Sequence, residues 1–114
     1  MSGWFELSRS SSGDFRFVLK AGNGEVILTS ELYKTRAAVE NGIASVQMNS
    51  PFNERFERKA ATNGRFFFNL KASNYQVIGT SQLYASAESR DKGIASVKES
   101  GVSRDVRDFS KSFK

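Results

Sequence analysis

The chain carries the same stretch twice, at a fixed spacing of 51 residues. Residues 5–50 align with residues 56–101 without a gap, and 20 of the 46 paired positions are identical. The longest identical run begins at Gly42 in one copy and at Gly93 in the other. A fixed period constrains the architecture first, because each repeat is a structural unit that buries its apolar face against its neighbour. We therefore expect two copies of one unit, related by a pseudo-twofold axis.

The length of the chain favours one domain rather than two. A unit of about 50 residues buries only about 60% of its unfolded surface, so two copies gain stability by sharing a core. We predict a single domain over residues 1–114, with repeats at about 3–51 and about 54–102 and a C-terminal strand at about 104–110. Because the chain contains both halves of a pseudo-dimer, we expect a monomer.

Two chemically versatile residue types, cysteine and histidine, do not occur in the sequence. Without cysteine there are no disulfides or thiolate metal sites, and without histidine the commonest general base and metal ligand is missing. No apolar run approaches the length of a membrane span, and the N-terminus does not resemble a secretory signal. We expect a cytoplasmic protein with no metal, no cofactor and no membrane contact.

The net charge of +5 is unevenly distributed along the chain. Residues 1–51 hold five basic and five acidic side chains, whereas residues 52–114 hold twelve and seven. A basic half is consistent with nucleic-acid binding. A charge of this size is also ordinary for the surface of a small soluble domain, which is the interpretation we favour.

Alternating apolar side chains predict equivalent strands at residues 15–20 and 66–71. A period of two over aromatic and branched residues is typical of a half-buried strand. The segments before them, 4–8 and 55–60, and after them, 25–29 and 76–80, are predicted as partner strands, and Asn63-Gly64 favours a type I′ turn. The strand side chains predicted to face the core are Phe15, Phe17, Leu19, Phe66, Phe68 and Leu70.

A helical period follows in each repeat, at residues 36–48 and 87–99. Thr35 and Ser86 precede these segments and are good N-caps, since a hydroxyl can accept from the free amides of a first turn. In the second segment Arg90 replaces Val39, and its aliphatic stem can cover apolar surface. The helical side chains predicted to meet the sheet are Val39, Ile43, Val46, Ile94 and Val97.

The tail predicts a seventh strand, because residues 104–109 fall on residues 53–58 in the register of the repeat. Exposed sheet edges are a liability, and an exchange of the strands that follow the helices would cover part of them. The sequence thus predicts an α+β fold, a tandem repeat of β-β-β-α-β units that share one antiparallel sheet of about seven strands. Two helices lie on one face, and the C-terminal strands are exchanged.

A glycine recurs inside both predicted helices, at Gly42 and Gly93. A glycine within a helix costs about 1 kcal/mol relative to alanine. We favour close packing of the helix as the reason, with backbone access for a ligand as the alternative.

The segments between the third strand and the helix of each repeat are candidate ligand sites. Hydroxyl groups before a helix N-terminus can hold an anion, although they more often satisfy turn and cap groups. A small enzyme or ligand carrier would use these segments and would form a concave pocket lined by Tyr33 or Tyr84. The candidate residues are Thr29, Ser30, Tyr33, Thr80, Ser81 and Tyr84.

The outward side of the predicted sheet is a second candidate surface. An outward Phe67 among basic side chains resembles the stacking platforms of single-strand binders, but the first repeat has no aromatic side chain in the equivalent place. The candidate residues are Arg65, Phe67, Lys71 and Lys20. Glu6 and Glu57 have no second carboxylate at a defined spacing, so they do not form a catalytic pair.

The repeated motifs resemble the YegP-like family of small, uncharacterised bacterial proteins. They include Phe-x-Leu-Lys-Ala from Phe17 and Phe68, and Gly-Ile-Ala-Ser-Val from Gly42 and Gly93. The resemblance covers about residues 3–109 and implies a unit of three strands, a helix and an exchanged strand. It supplies no catalytic residue and no ligand.

Function is less constrained than fold. The leading hypothesis is a non-enzymatic binding or interaction module with an unknown partner. Nucleic-acid binding through the basic second half is an alternative, and a small enzyme or small-ligand carrier is a third.

Overall fold

The structure is a computed structural model that describes residues 3–110. Its helices are α1 (Arg36–Asn49) and α2 (Ala87–Ser100), and a short 3-10 turn spans Asn53–Arg55. The sequence predicts these helices and the strands, with ends that differ by no more than two residues. The strands are β1 (Trp4–Arg9), β2 (Phe15–Lys20), β3 (Val26–Ser30), β4 (Phe56–Ala60), β5 (Phe66–Lys71), β6 (Val77–Thr80) and β7 (Val106–Asp108).

The strands form one sheet in the order β4-β5-β6-β3-β2-β1-β7. The repeats join at its centre, where β3 pairs antiparallel with β6 and Thr29 lies opposite Thr80. Helix α1 packs against β2, β5 and β6, and helix α2 packs against β2, β3 and β5. Each helix therefore contacts strands of both repeats, and the predicted α+β architecture with a shared sheet is confirmed.

The C-terminal strand differs from the expectation of a wholly antiparallel sheet. β7 follows the helix of the second repeat and pairs with β1 of the first, as expected for an exchanged strand, but the two strands run parallel. β7 thus lies outside β1 and does not repeat the position of a first strand. The chain reaches it through a crossover from a helix, and such a connection, unlike a tight turn, permits a parallel pair. The sheet is mixed.

One apolar core lies between the sheet and the helices. It contains ten of the eleven side chains predicted to be there, and Phe66 is half-buried at its margin. Arg90 lies over the Phe66 ring, but with its guanidinium carbon 5.5 Å from the ring centroid, so the charged group covers the ring where the aliphatic stem was expected to. The core also contains residues that the sequence analysis did not assign to it: Phe5, Leu7, Ile27, Leu28, Phe56 and Ile78.

The glycine inside each helix accommodates a tyrosine ring. Tyr33 stacks on Phe17 and Tyr84 on Phe68, each with 6.4 Å between ring centroids and 12° between ring planes. A Cβ atom on Gly42 would lie 2.5 Å from the Tyr33 hydroxyl oxygen, and one on Gly93 would overlap the hydroxyl of Tyr84. Close packing therefore explains both glycines.

The helix starts agree with the local sequence, whereas one turn does not. Thr35 Oγ1 accepts from the amide of Ala38, and Ser86 Oγ accepts from that of Ser89, so both N-caps are confirmed. The Asn63-Gly64 turn is not of type I′, because that type needs positive φ at both central residues, and only the glycine has it. Each of the four hairpins has one residue with positive φ. In chain order these residues are Gly13, Gly24, Gly64 and Tyr75.

Two pairs of equivalent residues meet where the repeats join, and one residue of each pair is glycine. Leu28 is fully buried, and a Cβ atom on its equivalent, Gly79, would lie 2.9 Å from the leucine Cγ. A Cβ atom on Gly101 would likewise overlap its equivalent, Ser50. Residues near a twofold axis face their own counterparts, so a large side chain in one repeat requires a small one in the other.

We expect Gly79→Ala to lower the free energy of unfolding by about 1–3 kcal/mol, because the new methyl group overpacks the junction. Urea unfolding measures this. In a Leu28→Ala background the added cost should be smaller, although the Thr29 carbonyl oxygen also lies 2.9 Å from the new Cβ. A Leu7→Ala background is the control, since Leu7 is equally buried but lies on β1. An equal cost in both backgrounds would contradict the packing of Leu28 against Gly79.

Candidate functional site

The face of the sheet without helices, here called the open face, consists of every second side chain of the strands. Strand pairing aligns one row across it, in the order Arg107, Glu6, Val18, Thr29, Thr80, Asn69 and Glu57. Beside this row lie Trp4, Ser8, Arg16, Lys20, Val26, Lys59, Phe67, Lys71 and Val77. Within the strands the open face therefore holds five cations and two carboxylates.

Each carboxylate of the open face is paired with a lysine, at equivalent places in the two repeats. Lys20 Nζ lies 3.4 Å from Glu6 Oε2, and Lys71 Nζ lies 3.1 Å from Glu57 Oε2. All four side chains are partly exposed, so each pair adds little to stability. The pairs matter chiefly for the charge of the surface. Lys20 and Lys71, two of the four candidate residues on the outward side of the sheet, already have a carboxylate partner.

Hydrogen bonds hold both carboxyl groups in the charged form. The Trp4 indole N–H donates to Glu6 over 2.9 Å and, with help from Lys20 and against a smaller effect of burial, lowers the pKa of that carboxyl. Asn69 donates to Glu57 over 3.1 Å and, with Lys71, lowers the pKa of Glu57 in the same direction. Hydrogen bonds to a carboxylate favour its ionised form.

Trp4 on the open face contacts the C-terminal strand β7 through Arg107. The Arg107 guanidinium of β7 lies 4.1 Å from the centroid of the Trp4 ring and donates to Asp105 over 3.0 Å. Trp4 thus contacts a cation through its ring and a carboxylate through its N–H. The sequence analysis did not find this cluster, because Arg107 reaches Trp4 only through the parallel pairing of β7 with β1.

The remaining predicted contact residues lie at one corner of the open face. Phe67 is half-buried and lies opposite Lys59 in the β4–β5 pair, and Arg65 is exposed immediately before β5. In the first repeat Arg16 is equivalent to Phe67. Sequence reasoning missed Lys59, although its spacing from Glu57 on an alternating strand already placed both on one face.

The candidate serines and tyrosines between strand and helix have structural partners. Ser30 Oγ accepts from the amide of Phe17 over 2.9 Å, and Ser81 Oγ accepts from that of Phe68 over 3.0 Å. Burial raises the pKa of the Tyr33 phenol and of its equivalent, Tyr84, so both stay neutral.

Four of the six candidate residues share a concavity of about 400 Å³ on the junction of the repeats. Neither tyrosine lines it, and Tyr33 instead lines a separate concavity with Glu31, Gln76 and Val77. Its rim carries Glu25 and Glu31, so its charge is opposite to the one that an anion needs. Its lining residues are Glu25, Val26, Thr29, Ser30, Glu31, Thr80, Ser81 and Gln82.

Residues 3–110 contain no group of three or more histidine, cysteine, aspartate or glutamate side chains that could hold a metal ion. Neither helix in that range is long and apolar enough to cross a membrane.

A family described as Domain of unknown function (DUF1508) matches the chain twice, at residues 10–57 and 61–108. The chain is 65% identical over 108 residues to the UPF0339 protein YegP of Escherichia coli strain K12, covering 95% of this chain and 98% of that protein. It is 57% identical over 109 residues to a UPF0339 protein of Shewanella oneidensis, covering 96% and 99%. The chain belongs to this family.

Solved structures of DUF1508 proteins have the same fold. The solution NMR structure of YegP from Escherichia coli, 63% identical, superposes with a TM-score of 0.92 over 97% of this chain and 96% of that one. That of SO3888 from Shewanella oneidensis, 56% identical, gives 0.91 over 96% and 93%. The two DUF1508 matches start 51 residues apart, which is the period of the internal repeat, and the resemblance to YegP-like proteins is confirmed.

Trp4, the single tryptophan, should report the ionisation of Glu6. A carboxyl group whose pKa is lowered by folding adds stability above its unfolded pKa, and that stability is lost as pH falls through the folded pKa. We therefore expect the fluorescence of Trp4 to change at a pH below the usual range of glutamate, as its acceptor is protonated. Glu6→Gln should abolish this step, and Glu57→Gln should retain it. An unchanged step in Glu6→Gln would contradict the assignment.

Proposed function

We propose that the protein is a non-enzymatic binding module that contacts its partner through the open face. The observation that carries the proposal is the unequal covering of the sheet. Helices cover one face, whereas the central row of the other, including Val18, Thr29 and Thr80, is half-exposed. Hydrogen bonds and ion pairs already order the polar side chains in this row and beside it. A pre-ordered surface loses less conformational entropy when it binds.

The ionisation of the acidic groups supports a role without acid–base catalysis. A catalytic acid has its pKa raised toward the working pH. Within residues 3–110, the four carboxyl groups with shifted pKa values are all shifted the other way. Besides Glu6 and Glu57, the Arg58 guanidinium lowers the pKa of Asp91, and hydrogen bonds from Ser110 and Arg36 lower that of Asp108 against the larger single effect of burial.

We also propose that the chain acts as a monomer. Its β3–β6 pair and shared core already join two equivalent repeats, and this internal contact fills the place of a subunit interface.

Nucleic-acid binding is a second candidate, favoured by the corner around Phe67. This half-exposed ring lies between the strand positions of Lys59 and Arg65, and the described residues offer neither cation a carboxylate within 4 Å. Aromatic side chains with nearby cations stack bases and neutralise phosphates. The paired lysines, Lys20 and Lys71, weigh against it because Glu6 and Glu57 offset their charge.

Site-specific photocrosslinking in living bacterial cells tests the open face. A photoreactive phenylalanine analogue replaces Arg16 or Phe67 on that face, or Met48 on α1 as the control, since Met48 is 70% exposed and lies on the helical side. We expect discrete adducts from the two open-face positions and none from Met48. Adducts from Met48 alone, or from no position, would contradict the proposal. Protease-sensitive adducts would indicate a protein partner, and nuclease-sensitive ones a nucleic acid.

An amide-resolved NMR titration with short single-stranded and duplex oligonucleotides tests the second candidate. Binding there predicts saturable shifts at Lys59, Arg65 and Phe67 that weaken with salt, because bound cations release counterions. Phe67→Ala should weaken binding by about 1–3 kcal/mol per stacked base, whereas Tyr75→Gly, which removes an exposed ring elsewhere, should not. An absence of shifts at low salt would eliminate this candidate.

A further inference from the structure

The two edges of the sheet differ in whether an added strand covers them. β7 covers β1 at one end, whereas β4, the equivalent of β1, is the outermost strand at the other. The difference follows from the tandem arrangement. The segment after α2 is free to cross over and cover β1, but the segment after α1 must lead into β4 itself. It cannot also lie outside β4, so one edge stays bare.

The covered edge shows how this fold receives an added strand. The amide of Phe5 donates to the carbonyl of Asp105 over 2.9 Å, and the amide of Phe109 donates to that of Leu7 over 2.8 Å. Side chains of α1 hold the strand from one side. Arg36 donates to Asp108 over 2.8 Å, and Gln47 donates to the carbonyl of Ser103 over 2.8 Å.

The bare edge presents backbone groups at the equivalent positions. In an antiparallel pair successive residues point their backbone groups alternately toward and away from the partner. The Ala61 amide bonds toward β5, at Arg65, so Lys59 and Glu57 also point toward β5. Arg58 therefore points its N–H and carbonyl outward. The Phe56 carbonyl points outward too, while its amide donates to Asn53.

Side-chain differences between the two edges define what the bare one fits. Arg58 stands where the covered edge has Leu7, which lies opposite Asp108. Lys98 stands in place of Gln47 on the adjacent helix, and Lys59 on the same strand has no carboxylate within 4 Å among residues 3–110. A cation opposite an incoming position favours a carboxylate there. Ile94, the equivalent of Ile43, keeps an apolar side chain beneath the edge.

We propose that the β4 edge binds an extended, acidic segment of a partner protein as an eighth strand, parallel to β4 and with a carboxylate opposite Arg58. Strand addition of this kind takes its affinity from backbone hydrogen bonds and its specificity from side-chain positions.

Arg58 also pairs with Asp91 on α2, with 3.1 Å between Nε and Oδ1. Since its side chain is 38% exposed, it keeps donors for a second carboxylate. Charged residues on an edge also discourage pairing with copies of itself, so the edge selects by charge.

The test is an NMR titration of the full chain with a capped peptide of residues 103–110 that carries Arg104→Glu, which makes acidic the segment that pairs with β1 in this fold. We expect saturable amide shifts at residues 57–60 of β4 and 94–98 of α2. A peptide with Asp108→Asn should bind about tenfold more weakly, as expected for a lost hydrogen bond to a charged group. Shifts on β1, which mean displacement of β7, or no shifts at all, would overturn the proposal.

Two variants at Arg58 test whether the peptide binds the β4 edge itself. Arg58→Pro removes the outward N–H and leaves the β4–β5 bonds in place, as proline is tolerated on an edge strand, so it should abolish peptide binding. Arg58→Gln should weaken binding about tenfold, with Lys34→Gln as the control that changes nothing, since that side chain is 88% exposed and lies on neither surface. Unchanged binding in both Arg58 variants would overturn the proposal. So would β4 shifts that depend on protein concentration without peptide, because the occupant would then be a second copy.

Discussion

The contact between a tyrosine ring and a helical glycine determines how close each helix comes to the sheet. Tyr33 and Tyr84 pair through their backbones with the first residue of β2 or β5, and their rings lie between a phenylalanine of the sheet and a glycine of the helix. Because the contact occurs once per repeat with the same ring separation, both helices lie at the same distance from the sheet. The shared core and the fully covered helical side follow from it, and so does the contrast with the open face.

Duplication does not make the two halves interchangeable. Near the pseudo-twofold axis the first repeat supplies Leu28 and Ser50 and the second supplies glycines, so the halves fit each other better than either would fit its own copy. The tandem arrangement also leaves the two sheet edges different, because β7 covers one and no strand of residues 3–110 covers the other. Surfaces with different charge and different backbone exposure thus arise from one repeated unit.

Much of the fold could be predicted from the sequence, because the repeat allowed each local signal to be checked twice. Alternation at Phe15 and Phe66 and the caps Thr35 and Ser86 determine strands and helices locally. Strand direction is not encoded in alternation, so the parallel pairing of β7 could not be deduced. The pairs of Glu6 with Lys20 and of Trp4 with Arg107 depend on register between strands, which the sequence does not state. For the same reason the sequence analysis could not give Lys20 and Lys71 their carboxylate partners.

The most direct test of this account is a double-mutant cycle on Gly93 and Tyr84, with the free energy of unfolding measured in urea. Alanine has the better helix propensity, by about 1 kcal/mol. The account nevertheless predicts that Gly93→Ala destabilises the wild-type chain, because the methyl group meets the Tyr84 ring, and that the same change is neutral or stabilising once Tyr84→Leu has made room. A Gly93→Ala variant that is more stable than wild type with Tyr84 in place would contradict the central claim.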